Sequence, residues 1–88
     1  MPAANQLQNI FEYIAVENKA AAYRTVRRIR EAILLAARMP YSGRVGRTEG
    51  TREITVSGTS YLVAYRIVDN MIHVLAVMHG AQAWPESF

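Results

Sequence analysis

The residues best suited to chemistry in this chain are arginines and a histidine, all in its second half. Arg44, Arg47 and Arg52 lie in a glycine-punctuated segment, Gly43-Arg44-Val45-Gly46-Arg47-Thr48-Glu49-Gly50-Thr51-Arg52-Glu53, and His79 closes the run Val74-Leu75-Ala76-Val77-Met78-His79. Arginine presents a fixed fork of donors that suits carboxylates and phosphates. Histidine exchanges a proton near neutral pH and is a candidate general acid or base. Together they describe a surface that grips an anionic group, with a titratable residue at its rim. The alternative is a flexible connector whose arginines are simply solvated. The segment is not a Walker loop, because the Gly-Lys-Ser/Thr ending is missing. His73 and His79 would lie about 20 Å apart along an extended strand, too far to share a metal ion. His73 reads as structural, and neither a metal nor a cofactor is expected.

Composition narrows the class. Eighty-eight residues allow one domain, 1–88, with a modest core. About half of the residues are apolar (51%) and 19% are charged, a globular balance and not a disordered one. The absence of cysteine excludes disulfides and thiolate metal sites. No apolar run approaches the roughly 18 residues of a membrane span, and no signal pattern opens the chain, so a cytoplasmic protein without membrane contact is expected. The net charge is only +3, yet nine of the ten basic residues are arginine and Lys19 is the lone lysine.

The elements that must position these groups follow from two periodicities. Residues 3 to about 38 read as a helical hairpin. Leu7, Ile10, Phe11 and Ile14 share one face of a first helix, and Asn18 breaks and caps. Ala22, Val26, Ile29 and Ile33, with Leu34 and Ala37, form the stripe of a second helix, which Met39-Pro40 ends. From Gly50 the period becomes two. Strands are expected over Arg52–Ser57, Ser60–Val68 and Met71–His79, with turns at Gly58-Thr59 and Asp69-Asn70.

A two-residue loop at Asp69-Asn70 sets Val68 opposite Met71, Arg66 opposite His73 and Ser60 opposite His79. Tyr61, Val63, Tyr65, Ile67, Ile72, Val74, Ala76 and Met78 then lie under the helices. The other face, carrying Arg66, His73, Leu75, Val77 and His79, meets solvent or a partner. A one-residue slip would exchange the two. The expected fold is α+β, an N-terminal helical hairpin packed on a three-stranded antiparallel sheet. Trp84 and Phe88 in the tail either cap the core or offer a stacking surface to a base or a partner.

In this order, the residues resemble the RelE/ParE superfamily of toxins from type II toxin–antitoxin modules. The resemblance rests on the hairpin ending Met39-Pro40, on Gly43-Arg44, Gly46-Arg47 and Gly50-Thr51-Arg52-Glu53, and on Tyr61-Leu62-Val63-Ala64-Tyr65-Arg66-Ile67. The ending His79-Gly80-Ala81-Gln82-Ala83-Trp84-Pro85 completes it. It implies a growth-arresting toxin of a plasmid stabilisation module, held in a hetero-oligomer with an antitoxin encoded by the adjacent gene. Family members usually open with a strand before the first helix, and Met1-Pro2-Ala3-Ala4 leaves no room for one. A sheet edge is then expected to be covered by the antitoxin or by a second copy of the chain.

Three modes of action follow from the resemblance. ParE-like members poison DNA gyrase by binding, and this mode is favoured here. RelE-like members cut mRNA on the ribosome; in that case His79 is catalytic, and the chain is an endoribonuclease. An inactive member would only bind its antitoxin. Arg44, Arg47, Arg52 and Arg66 are the candidate target- or phosphate-binding residues, and Trp84 is the aromatic contact. Cutting RNA needs both a base and an acid, and the sequence offers His79 no second proton-transfer partner.

Overall fold

In the computed structural model, which describes residues 3–88, two helices precede a four-stranded antiparallel sheet. Helix α1 spans Ala3–Ala15 and α2 spans Lys19–Arg38. A 3-10 turn, Pro40–Ser42, leads to β1 (Arg44–Val45), β2 (Arg52–Thr55), β3 (Tyr61–Val68) and β4 (Met71–His79), neighbours in that order. The α+β class and the hairpin-on-sheet packing match the sequence reading, with one strand more than expected. Arg44 and Val45 pair with Glu53 and Arg52. A two-residue strand has no period to read, so pattern alone does not reveal it. The expectation about a strand ahead of the first helix falls partly on Met1 and Pro2, which lie outside the described residues.

Local chemistry sets the helix ends. Asn18 is extended (φ −153°, ψ 99°), and its side chain accepts from the Ala21 N–H, capping α2. At the other end the Met39 N–H still donates to the Leu35 carbonyl, and Pro40 cannot continue the ladder. The buried stripe of α2 is Ala22, Ile29, Ala32 and Ala36. Leu34 and Ala37, expected on that stripe, are exposed. At about 100° per residue Leu34 lies some 140° around the helix from Ile29, whereas Ala36 lies directly along its line.

The largest correction concerns the β3–β4 hairpin. Asp69 and Asn70 are both left-handed (φ 53° and 64°), as a tight two-residue hairpin turn requires. Val68 faces Met71 and Arg66 faces His73, as expected. Tyr65 then faces Val74 but Ala64 faces Ala76, so Leu75 is an extra residue, a β-bulge. Beyond it Tyr61, not Ser60, stands opposite His79. Ala76 and Met78 thereby move to the outer face, and Val77 and His79 move to the helix face.

Each face consequently has its own apolar cluster. Ile29, Ala32, Val56, Val63 and Val77 form the core between helices and sheet, joined by Leu7, Ile10, Ile54 and Tyr61. Leu62, Ala64, Ala76 and Met78 form a second cluster on the outer face, against which Trp84 packs. Strand β2 is shorter than expected, but Val56 just beyond it is buried and its N–H donates to Tyr61.

Candidate functional site

The outer face is organised around one carboxylate. Glu53 sits in β2 between Arg44 of β1 and Ala64 of β3 and is only 2% exposed. Arg44 donates from Nε (3.0 Å) and Nη2 (2.7 Å) to Glu53 Oε2. Arg47 reaches the other oxygen at 3.9 Å. The arginine side chains remain 65% and 49% exposed, so their outer edges are open while their inner edges neutralise a buried charge. Neutralisation is required, because a buried carboxylate without partners is costly.

Loop and tail lock together above this cluster. The Arg47 guanidinium lies 5.6 Å over the Trp84 ring, and its Nη1 approaches the Gly80 carbonyl at 3.5 Å. The Thr48 hydroxyl donates to the Pro85 carbonyl, and the Thr51 hydroxyl to that of Thr48. Gly46 is needed for this closeness, since a Cβ there would strike Thr51 Oγ1 and press on Trp84. Phe88 stacks edge-on against Trp84 at 6.1 Å. The Trp84 Nε1 is buried without a hydrogen-bond partner among the described residues. Trp84 is thus chiefly a cap on the outer cluster, with the tail strapped down around it.

The remaining candidates divide between the two faces. Arg66 is half-buried opposite His73, with its Nε beside the turn at Gly50 of the same arginine loop. Arg52 pairs with Tyr65 on the helix face instead. Its Nη1 donates to the Gly43 carbonyl, and its guanidinium lies 4.9 Å over Tyr41. Tyr65 completes that corner: its hydroxyl donates to the Pro40 carbonyl (2.6 Å) and accepts from the Gly43 N–H (3.1 Å).

His79 also lies on the helix face. Its ring stands edge-on to Tyr61 at 5.7 Å, and its Nδ1 accepts from the Ala81 N–H. Burial, and then the charge of Tyr13, push the Tyr61 phenol above its ordinary range, which makes it a weaker acid than a free tyrosine. Among the described residues no three His, Asp or Glu side chains group in a way that would hold a metal ion.

The structure therefore brings together Arg44, Arg47 and Trp84, with Arg66 near the same loop, and turns Arg52 and His79 to the other face, although Arg47 reaches the Gly80 carbonyl beside His79. Glu53 is the organising residue that sequence reasoning missed. Its signal was an acid alternating into a strand beside a basic loop. The assembled surface offers open guanidinium edges beside an anchored indole.

Comparison with known proteins agrees with this architecture. Residues 1–84 match the family described as "ParE toxin of type II toxin-antitoxin system, parDE". The chain is also similar to "Putative toxin Y4kP" of Sinorhizobium fredii (strain NBRC 101917 / NGR234), at 39% identity over 84 residues, which cover 96% of this chain and 86% of that protein. Among the described residues no helix is long and apolar enough to cross a membrane. The chain belongs to the ParE toxin family and is the toxin of a type II toxin–antitoxin system, which implies a cognate antitoxin as its partner.

Proposed function

We propose that this toxin arrests growth by binding DNA gyrase and not by cutting RNA, with Arg44, Arg47 and Arg66 as its contacts and Trp84 as their support. The observation that carries the reading is the facing of the His79 ring away from the carboxylate-bound arginines, beside Tyr61. The bulge at Leu75 puts the imidazole beside Tyr61 on the helix face, while Arg44 and Arg47 close over Glu53 on the other. General acid–base cleavage needs a positioned pair of proton-transfer groups close to the scissile phosphate. Binding needs only complementary charge and shape, and the open guanidinium edges supply the charge. By resemblance, ParE-like toxins act on gyrase in this non-nucleolytic way, and the antitoxin is encoded beside the toxin.

The test sets purified toxin against gyrase supercoiling and, in parallel, against translating ribosomes with mapping of mRNA ends. Inhibited supercoiling, intact mRNA and full toxicity of His79→Gln are expected. Discrete mRNA cleavage that disappears in a folded His79→Gln protein would replace this reading with a ribosome-dependent endoribonuclease. Normal growth on expression of soluble, folded toxin would leave only antitoxin binding.

A further inference from the structure

Arg52 takes no part in the Glu53 cluster, and the corner it occupies has a construction of its own. The short turn Pro40–Ser42 presents Tyr41 to solvent, 67% exposed. Three bonds fix the backbone on either side of that residue. The Tyr65 hydroxyl donates to the Pro40 carbonyl and accepts from the Gly43 N–H, while Arg52 Nη1 donates to the Gly43 carbonyl. A Cβ on Gly43 would strike the Tyr65 hydroxyl and the Glu53 carbonyl, so glycine is what lets the turn come this close.

The Arg52 guanidinium also lies 4.9 Å over the Tyr41 ring and covers one side of it. A guanidinium has five N–H donors, and Gly43 takes one of them. Val45, directly across from Arg52 in β1, is exposed as well. Arg38 ends α2 just before the turn and is exposed too. The result is a flat aromatic face on a fixed mount, with guanidinium donors beside it.

These features choose an occupant. A nucleotide brings a flat π face for the ring and a phosphate for the guanidinium. In a duplex the bases stack on one another and offer no free face, so the strand is single. An acidic peptide would satisfy the guanidinium but leave the open side of the ring to water. A second copy of the chain, meeting the first symmetrically, would set Arg52 against Arg52, and like charges repel across such a contact. The net charge of +3, with nine arginines, also draws a polyanion.

We propose that Tyr41 and Arg52 form a binding site for single-stranded DNA, with a base stacked on the Tyr41 ring and the adjoining phosphate on Arg52. The choice of DNA over RNA rests on the gyrase reading, whose target works on DNA. Arg52 lies on the opposite face of the sheet from Arg44 and Arg47. The toxin then holds the enzyme with one face and a strand of its DNA with the other.

The test measures binding of fluorescein-labelled oligothymidylate to full-length toxin, by anisotropy at several salt concentrations and with no gyrase present. The wild type should bind, and Tyr41→Ala should weaken binding roughly 5- to 100-fold, the range for one lost stack. Tyr41→Phe keeps the ring and should bind as the wild type does. Arg52→Gln should lower the slope of log affinity against log salt by about 0.7, the value for one phosphate on a single strand. The Tyr41 side chain stands mostly in water, so Tyr41→Ala should fold, and circular dichroism checks each variant. If Arg52→Gln fails to fold, the two Tyr41 variants decide. Unchanged affinity in folded Tyr41→Ala would overturn the proposal. So would a loss in Arg24→Gln, on the hairpin, equal to that in Arg52→Gln, since general charge attraction would then explain the binding. Oligouridylate bound ten times more tightly than the DNA would make the strand RNA, and displacement of the DNA by poly-glutamate of equal length would make the occupant a peptide; either sinks the proposal. A wild type that binds no DNA overturns it as well, and leaves the gyrase reading standing if supercoiling is still inhibited. Tyr41-dependent DNA binding in a toxin without effect on supercoiling would overturn the gyrase reading alone.

Discussion

Arginines on the two sides of this molecule carry the same charge but serve opposite ends. On the outer face Arg44 and Arg47 close over Glu53, and Arg47 also covers Trp84. They are part of what holds the loop and tail in place. On the hairpin Arg24, Arg27 and Arg30 are exposed and form no ion pair among the described residues. A basic residue near a functional surface is therefore not automatically a contact. Its partner inside the protein decides how much of its effect on activity is really an effect on structure.

The comparison breaks most sharply at Glu53. Replacing Arg44 and Arg47 together with Ala leaves a carboxylate that is 2% exposed without either guanidinium. That should cost about 3 kcal/mol in urea unfolding, the range seen when a buried pair loses one side. Adding Glu53→Gln to the double variant should return most of the loss, because the uncompensated charge is gone. Toxicity that stays lost in this refolded triple variant would assign the arginines to the target. Toxicity that returns would assign them to the scaffold.

Tyr65→Phe is a milder break, at the Gly43 corner on the other face of the sheet. It removes a buried hydroxyl that bonds both Pro40 and Gly43, and leaves the Gly43 N–H without its acceptor. A loss of about 1–2 kcal/mol is expected, measured by the same denaturation. An unchanged midpoint would show that water replaces the hydroxyl. The smallest effect belongs to the hairpin. Arg24→Ala, Arg27→Ala and Arg30→Ala should each change stability by less than about 0.5 kcal/mol. A larger loss would reveal a structural role for these side chains and dissolve the contrast.

Much of the fold was legible because its signals are local. The 3.6-residue stripe of Leu7, Ile10, Phe11 and Ile14 names a helix face, Asn18 names a cap, and Asp69-Asn70 names a hairpin turn. What stayed hidden depended on parity. Ala64-Tyr65 and Val74-Leu75-Ala76 are apolar on both sides of the sheet, so alternation gives no hint that Leu75 is the extra residue. The direction of His79 inherits that one-residue shift. The candidate arginines were legible by type, but not their division between Glu53 on one face and the Gly43 corner on the other. That division arises from β1, a strand too short to announce itself.

The anchored indole has a practical side. Trp84 is the chain's sole tryptophan, and it rests between the apolar outer cluster and the Arg47 guanidinium. An indole in such surroundings emits at shorter wavelength than one in water, and a nearby cation alters its quantum yield. The intrinsic ultraviolet emission of the unlabelled protein therefore reads a single place, the seam between tail and arginine loop. A red shift on adding a partner marks the tail lifting from the sheet, and a constant spectrum marks a partner that engages the molecule elsewhere.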